Sequence, residues 1–227
     1  IMNSNMAMQP AAFAKAIQNK IPNAIQVGTF GMTETSGTVT TSFPTDSYEE
    51  RTRRLGKPFD GLEVKIVHPE TGPCGTDEIG EICVRGYSVF TEYYKDPEKT
   101  AEAKRDGWFH TGDLGAFDAG GTLMYHGRLK DMLKVGGENV AAQEIEAVVS
   151  GHDAVKFCQV VGKPDARLQE VPVAFVELVP GANPDPQEII DFCKDKFSSF
   201  KVPREVHYIT EWPMSSSKIQ KFKLREM

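Results

Sequence analysis

The 227 residues carry 26 basic and 32 acidic side chains, a formal charge of −6, with 40% hydrophobic and 26% charged residues. This is an ordinary globular composition with room for one large core or two modest ones. Its acidic balance excludes a generic nucleic-acid binder, which needs a basic excess.

No apolar run approaches the roughly 20 residues that span a bilayer, so no transmembrane segment is expected. Ile1-Met2-Asn3-Ser4 lacks the basic-then-apolar pattern of a secretory signal. Ile1 is not a normal initiator, so the chain is expected to be trimmed from a longer protein. The four cysteines, Cys74, Cys83, Cys158 and Cys193, have no paired short spacing. Cys83 and Cys158 sit in apolar alternation and read as small buried hydrophobes, not as metal ligands or a disulfide. A reducing cytoplasm is the simplest setting.

In chain order, Pro10 to Lys20 predicts a short amphipathic helix with proline in its first turn. Ala24 to Val27 reads as a strand entering a Gly/Thr-rich turn from Gly28 to Thr38. Alternation predicts strands at Glu63 to Val67 and Glu81 to Arg85, with turn chemistry from Pro69 to Pro73 between them. Asp96-Pro97 caps a charged helix, Glu98 to Lys104, and Leu114 to His126 reads as a hairpin turning at Asp118-Ala119-Gly120-Gly121. Near Arg128 the character changes. Two apolar strands, Val155 to Val161 and Val171 to Val179, alternate with helices over Ala141 to Ser150 and Pro186 to Phe197. The expected fold is α+β, a mainly β region to about Gly127 followed by a compact α+β domain of about 100 residues.

Four clusters could carry chemistry, and each alone has a bland alternative. Gly28-Thr29-Phe30-Gly31-Met32-Thr33-Glu34 offers backbone and hydroxyl donors to a phosphate, a flat ring to a base and a carboxylate to Mg²⁺. It also reads as a surface loop. Trp108 to Asp113 places an aspartate after a glycine, where it could accept ribose hydroxyls or merely stabilise its own turn. His110 has no Ser or Cys nucleophile motif nearby and reads as structural. Gly127 to Val140 alternates basic and apolar residues around Gly136-Gly137 and could be a solvated strand and its turn. Pro213 to Lys221 holds Lys218 in a serine loop and could be a solvated tail. From Lys194 to Met227, however, eight basic residues face four acidic ones, which suits an anionic substrate.

Together, in this order and spacing, the four clusters resemble the adenylate-forming superfamily of acyl-CoA synthetases, luciferases and peptide-synthetase adenylation domains. The resemblance implies an ATP-dependent acyl-CoA ligase working on a small carboxylic acid, with ATP/AMP, Mg²⁺ and coenzyme A. By match, Phe30 is the adenine-stacking aromatic, normally tyrosine, within the Phe30-Gly31 nucleotide turn. Thr33 touches the α-phosphate, and Glu34 is the magnesium carboxylate. Asp113 and Arg128 hold the ribose, and Lys130 is the hinge of the mobile small domain. Lys134, Gly136, Gly137 and Asn139 lie near the site in the thioester-forming or acyl-adenylate states. Lys218 promotes adenylation.

The implied domains are 1–127, the C-terminal part of the large AMP-binding domain, a hinge at 128–130, and a lid domain at 131–227. Gly-Gly-Glu-Asn followed by Glu144-Ile145-Glu146 is closer to acyl-CoA synthetases than to the other branches. Loading of a carrier protein, and a non-catalytic nucleotide-binding or interaction module, are the alternatives. Ser217 stands where the family has glycine, and Ala142 where it commonly has proline. The family's phosphate-clamping loop, ending in Pro-Lys-Gly, is absent from the 227 residues. It and most of the acyl pocket are expected upstream, in a missing N-terminal part.

Overall fold

The computed structural model describes residues 2–4, 11–68, 71–215 and 218–227. Pro10, Pro69-Glu70 and Ser216-Ser217, each part of an expectation above, lie outside the described residues. The chain divides into two units, Ile1–Leu129 and Lys130–Met227.

The first unit begins with β1 (Met2–Ser4), α1 (Ala11–Lys20), β2 (Gln26–Phe30), β3 (Thr40–Thr41), α2 (Tyr48–Arg53) and β4 (Lys57–Pro58). The four strands form one sheet in the order β1-β2-β3-β4, with β1 parallel to β2 and the other pairs antiparallel. The turn expected to begin at Gly28 begins instead at Gly31, because Gly28, Thr29 and Phe30 extend β2. A Cβ on Gly28 would lie 2.0 Å from the Arg54 carbonyl oxygen. Gly28 is therefore a close-approach glycine inside a strand.

A second sheet follows from β5 (Leu62–His68), β6 (Gly72–Pro73), β7 (Gly80–Gly86), α3 (Pro97–Ala103), β8 (Lys104–Arg105), β9 (Trp108–Phe117) and β10 (Leu123–Arg128). Its order is β10-β9-β7-β5-β6, with β8 on β9. The Asp96 carboxylate accepts the Lys99 N–H at 3.0 Å and caps α3 as the sequence predicts. Asp118 holds the β9–β10 turn by accepting the Gly120 and Thr122 N–H groups, both at 2.9 Å. Ile82, Val84, Phe109 and Leu123 of this sheet pack with Phe30, Val39 and Leu55 into one core.

The second unit contains β11 (Met132–Val135), β12 (Glu138–Ala141), α4 (Ala142–Val149), β13 (Val155–Asp165), β14 (Gln169–Leu178), α5 (Pro186–Lys194), β15 (Glu205–Tyr208) and α6 (Lys221–Glu226). The sheet order is β12-β11-β14-β13, with β15 parallel to β14. Both faces of this sheet are covered, which explains the nearly continuous apolar runs in β13 and β14. Val160, Ala174 and Val176 join α4 and α5 on one face, whereas Val161, Val173 and Phe175 join Leu224 of α6 on the other. Ala142 takes the first helical position of α4, where proline would sit without losing a hydrogen bond. The helix α6 and strand β15 have no counterpart in the sequence reading. Among the described residues, no helix is long and apolar enough to cross a membrane.

Candidate nucleotide site

In the first unit, β2 leads into a single 3-10 turn over Thr33–Thr35. The Thr35 hydroxyl accepts the Met32 N–H at 3.0 Å, and the Gly37 N–H donates to the Met32 carbonyl at 3.0 Å. These bonds close the turn on itself. A Cβ on Gly31 would lie 2.2 Å from the Gly37 carbonyl oxygen, so the loop folds back onto a position that only glycine fits. Thr33 is exposed at the start of the turn and Glu34 half-buried. One Glu34 oxygen accepts the Tyr93 phenol at 3.0 Å. Burial, and then the Glu34 carboxylate, pushes that phenol up to about 12, so it remains a donor. The other oxygen, Oε2, is a hard oxygen atom of the kind that can ligate a divalent cation.

Phe30 is only 5% exposed, and its ring packs in the core, 6.5 Å from the ring centroid of Tyr125. Its face is not presented as an open platform in this structure. Tyr125 reaches from β10 and donates its phenol to Asp113 Oδ1 at 3.2 Å. Burial first, and then the Asp113 charge, raises the Tyr125 phenol above its usual range, which keeps the donor proton in place. Arg128 Nε lies 3.4 Å from the same Asp113 oxygen. Asp113 is 6% exposed, and the Arg128 charge offsets part of the cost of burying it. Phe30, Tyr125, Asp113 and Arg128 thus form one contiguous group. Tyr125 and Tyr93 were missed in the sequence. Neither has a local motif, and only the tertiary pairing of β10 with β9, and of the Tyr93 segment with Glu34, reveals them.

Below Asp113, Glu81, Cys83 and His110 bring a carboxylate oxygen, a thiol and an imidazole nitrogen within 4.8 Å of one another. His110 Nδ1 is 2.7 Å from Glu81 Oε2, a hydrogen-bond length that leaves no room for a cation between them. Burial, with the Glu81 charge second, pushes the Cys83 thiol up to about 12. The trio is a hydrogen-bonded network around a neutral thiol, and Cys83 is fully buried as its apolar alternation predicts.

In the second unit, β11 and β12 form a hairpin that pairs Lys134 with Asn139. Gly136 and Gly137 make its turn at φ values of 62° and 90°, the left-handed region that glycine enters without strain. Lys134 Nζ donates to the Asn139 side-chain oxygen. The Lys134 N–H donates to Glu170 at 2.8 Å. Leu133, Val135 and Val140 are buried in the core of this unit, so β11 and β12 show only their basic and polar face to solvent.

Lys218 is exposed, and its carbonyl accepts the Ser215 N–H at 2.8 Å, beside a bridge between Met214 and Ile219. The segment is anchored and is not a free tail. At its exit, Lys221 donates to Glu146 Oε1 at 2.7 Å, and that oxygen also accepts the Val160 N–H at 2.8 Å. Lys130 is exposed, and its carbonyl accepts from Arg225 of α6 at 3.3 Å.

Residues 3–94 match the AMP-binding enzyme family, and residues 144–218 match the AMP-binding enzyme C-terminal domain. YngI of Bacillus subtilis (strain 168), provisionally named an acyl-CoA synthetase, is 40% identical over 222 residues, covering 96% of this chain and 40% of its own length. The mitochondrial medium-chain acyl-CoA ligase ACSF2 of Bos taurus is 39% identical over 220 residues, covering 96% of this chain and 36% of its own. The crystal structure of ATP-bound MatB from Rhodopseudomonas palustris superposes with a TM-score of 0.89 at 32% identity, covering 99% of this chain and 44% of that one. The chain therefore spans about two fifths of the length of the curated relatives it matches. With both family matches in the expected order and the mixed, sheet-rich fold shared with MatB, the chain belongs to the adenylate-forming superfamily of AMP-binding enzymes.

Proposed function

We propose that these 227 residues form part of an ATP-dependent acyl-CoA ligase and contribute one side of its nucleotide site together with its mobile small domain. The observation that carries this reading is the pairing of Asp113 with Arg128 and Tyr125, next to the Gly31–Glu34 turn. That group is an acceptor for ribose hydroxyls beside a cradle of donors for phosphate. In the first half-reaction, a carboxylate oxygen attacks the α-phosphorus of ATP, forming acyl-AMP and releasing pyrophosphate. In the second, the thiol of coenzyme A attacks the acyl carbon and AMP leaves.

Phe30 and Gly31 would wall the adenine side, the Phe30 ring becoming available only if the Tyr125 ring shifts. Thr33 would donate to the α-phosphate. Glu34 would hold Mg²⁺, which supplies charge neutralisation on the phosphates when bound. Lys218, an exposed cation beside the Met214–Ile219 bridge, would stabilise the negative charge that gathers as two anions react. Residues 1–127 are assigned to the large AMP-binding domain, 128–130 to a hinge centred on Lys130, and 131–227 to the small domain. After rotation, the Lys134–Asn139 hairpin would replace Lys218, and its Gly136-Gly137 turn would let pantetheine pass close to the backbone. The phosphate-clamping loop and acyl pocket would come from a preceding portion of the same protein, in line with the share of the relatives that the chain spans. A reducing cytoplasm is the proposed setting, supported by three buried free thiols.

The test is pyrophosphate release with ATP, Mg²⁺ and a panel of fatty and aromatic acids, with and without coenzyme A. It compares the 227 residues alone with the same residues joined to the preceding large-domain sequence. Turnover is expected only in the longer protein, with acyl-AMP accumulating when coenzyme A is withheld. Turnover by the 227 residues alone at the rate of the longer protein would overturn the division of the site. No turnover from the longer protein with any acid would overturn the ligase reading.

A further inference from the structure

Opposite Ile82 of β7, strand β9 carries three residues where a regular ladder would carry one. Glu81 faces Leu114 and Cys83 faces His110, so Thr111, Gly112 and Asp113 form a wide bulge. A bulge redirects a side chain at the expense of ladder hydrogen bonds, and those bonds must be replaced inside a protein. Here side chains replace them. Glu81 Oε1 accepts the Gly112 N–H at 3.0 Å. The Thr111 hydroxyl donates to the Ile82 carbonyl at 2.8 Å and accepts the Asp113 N–H at 3.1 Å. Gly112 has a φ of 70°, and an added Cβ would meet nothing within 4 Å. The turn therefore needs glycine for its backbone conformation and not for space.

Glu81 is the central piece. Its second oxygen, Oε2, is 2.7 Å from His110 Nδ1, and because a carboxylate only accepts, the imidazole N–H donates. Arg105 lies 3.7 Å from the same oxygen. The Glu81 side chain is 13% exposed and that of His110 14%. A partly buried carboxylate held at both oxygens is a rigid strut, because releasing either contact strands a desolvated polar group.

We infer that Glu81 is a positioning residue for nucleotide recognition. Through the Gly112 amide it fixes the bulge that aims Asp113, and through His110 it fixes its own orientation. It acts through Gly112 and is not a group that touches the nucleotide. The inference rests on the reading of Asp113 as the ribose acceptor, and it assigns His110 the orienting role that the sequence left as merely structural.

The experiment uses Glu81→Ala and Glu81→Gln with two readouts. The first is hydrogen exchange at the Gly112 amide in the 227-residue chain, with Val84 as an internal reference in the same strand pair. The second is the KM for ATP, and for 2′-deoxy-ATP and 3′-deoxy-ATP, in the longer ligase, alongside kcat and the KM for the acid. Glu81→Ala should speed Gly112 exchange at least tenfold relative to Val84. It should raise the KM for ATP about tenfold or more, the range of a hydrogen bond to a charged group, with the acid KM unchanged. It should also narrow the gap between ATP and its deoxy analogues, which general destabilisation would not do. Glu81→Gln keeps an acceptor for Gly112 and should restore most of the ATP affinity. Unchanged Gly112 exchange in Glu81→Ala would overturn the strut. Faster exchange with unchanged ATP affinity and ribose discrimination would overturn the positioning role of Glu81, whereas equal KM values for ATP and its deoxy analogues in the unsubstituted ligase would overturn the ribose reading of Asp113 on which it rests.

Discussion

The two units hold their candidate residues in opposite ways. In the first, Asp113 and Phe30 are buried, and the turn over Thr33–Thr35 is closed by its own hydrogen bonds. In the second, Lys134 and Asn139 are exposed on the paired strands β11 and β12, and Lys218 is exposed beside the Met214–Ile219 bridge. The difference fits the proposed chemistry. A carboxylate that accepts from neutral hydroxyls discriminates best when it is fixed and dry. A cation that serves one half-reaction and must then withdraw is better carried at the edge of a domain, where losing its ligand leaves it in water. One unit invests in fixed geometry and the other in presentation.

The sharpest way to break this comparison is at Lys218. In the longer ligase, Lys218→Ala should slow acyl-adenylate formation by about 10²–10³-fold, the range for removing one positioned electrostatic donor. Thioester formation from pre-made acyl-AMP should change little. Because Lys218 is exposed, the melting temperature should not move. Single-turnover measurement of both halves decides the point. Equal slowing of the two would mean that Lys218 is not confined to the adenylation step.

The same substitution made once in each unit sharpens the comparison. Alanine at Gly31 would put a Cβ 2.2 Å from the Gly37 carbonyl and 2.6 Å from Thr38 Cα, both backbone atoms that cannot swing away. Gly31→Ala should cost the first unit about 3 kcal/mol. Alanine at Gly137 would meet nothing within 4 Å, but φ is 90°. Its cost is backbone strain alone, about 1 kcal/mol. The chain has two tryptophans, and Trp108 and Trp212 fall one in each unit. Urea denaturation followed by fluorescence, with the other tryptophan changed to phenylalanine, reads each unit separately. Equal costs at the two positions would erase the contrast.

These glycines also mark what was legible in the sequence. Gly136-Gly137 was readable because a turn between two short strands is a local event. The cap at Asp96, the hairpin turn at Asp118, the alternation in β5 and β7 and the apolar runs of β13 and β14 were readable for the same reason. Gly28 was misread as turn chemistry because its reason is distant. The Arg54 carbonyl, 26 positions later, occupies the place of its side chain. Glu81 looked like an ordinary polar position in an alternating strand. Nothing local says that its carboxylate replaces a ladder bond 31 residues away. Helix α6 was missed because it is short and basic, and a single fully buried side chain, Leu224, docks it on the sheet. The four motifs located the candidate residues, but the neighbours that orient them are set by tertiary pairing.

The smallest expected effect concerns the cysteines, which compare the two units by burial alone. Cys74 is half-buried, whereas Cys83 in the first unit and Cys158 and Cys193 in the second are buried. Burial raises all four thiols, Cys83 to about 12 and Cys158 well above its usual value. The thiolate is the reactive species, so a thiol-disulfide reagent at pH 8 should modify Cys74 alone in the folded chain and all four in denaturant. The sign of the pH effect follows from the direction of the shift. The folded state keeps the Cys83 proton where the unfolded chain, near 9, gives it up. The associated stability is therefore complete below pH 9 and is lost as pH rises toward about 12. Exposure of Cys83 should consequently accelerate between pH 9 and 12, read by mass spectrometry of the modified peptides. Modification of Cys83 as fast as Cys74 at pH 8 would mean that the strand pair under Asp113 opens readily, and the fixed half of the comparison would fail.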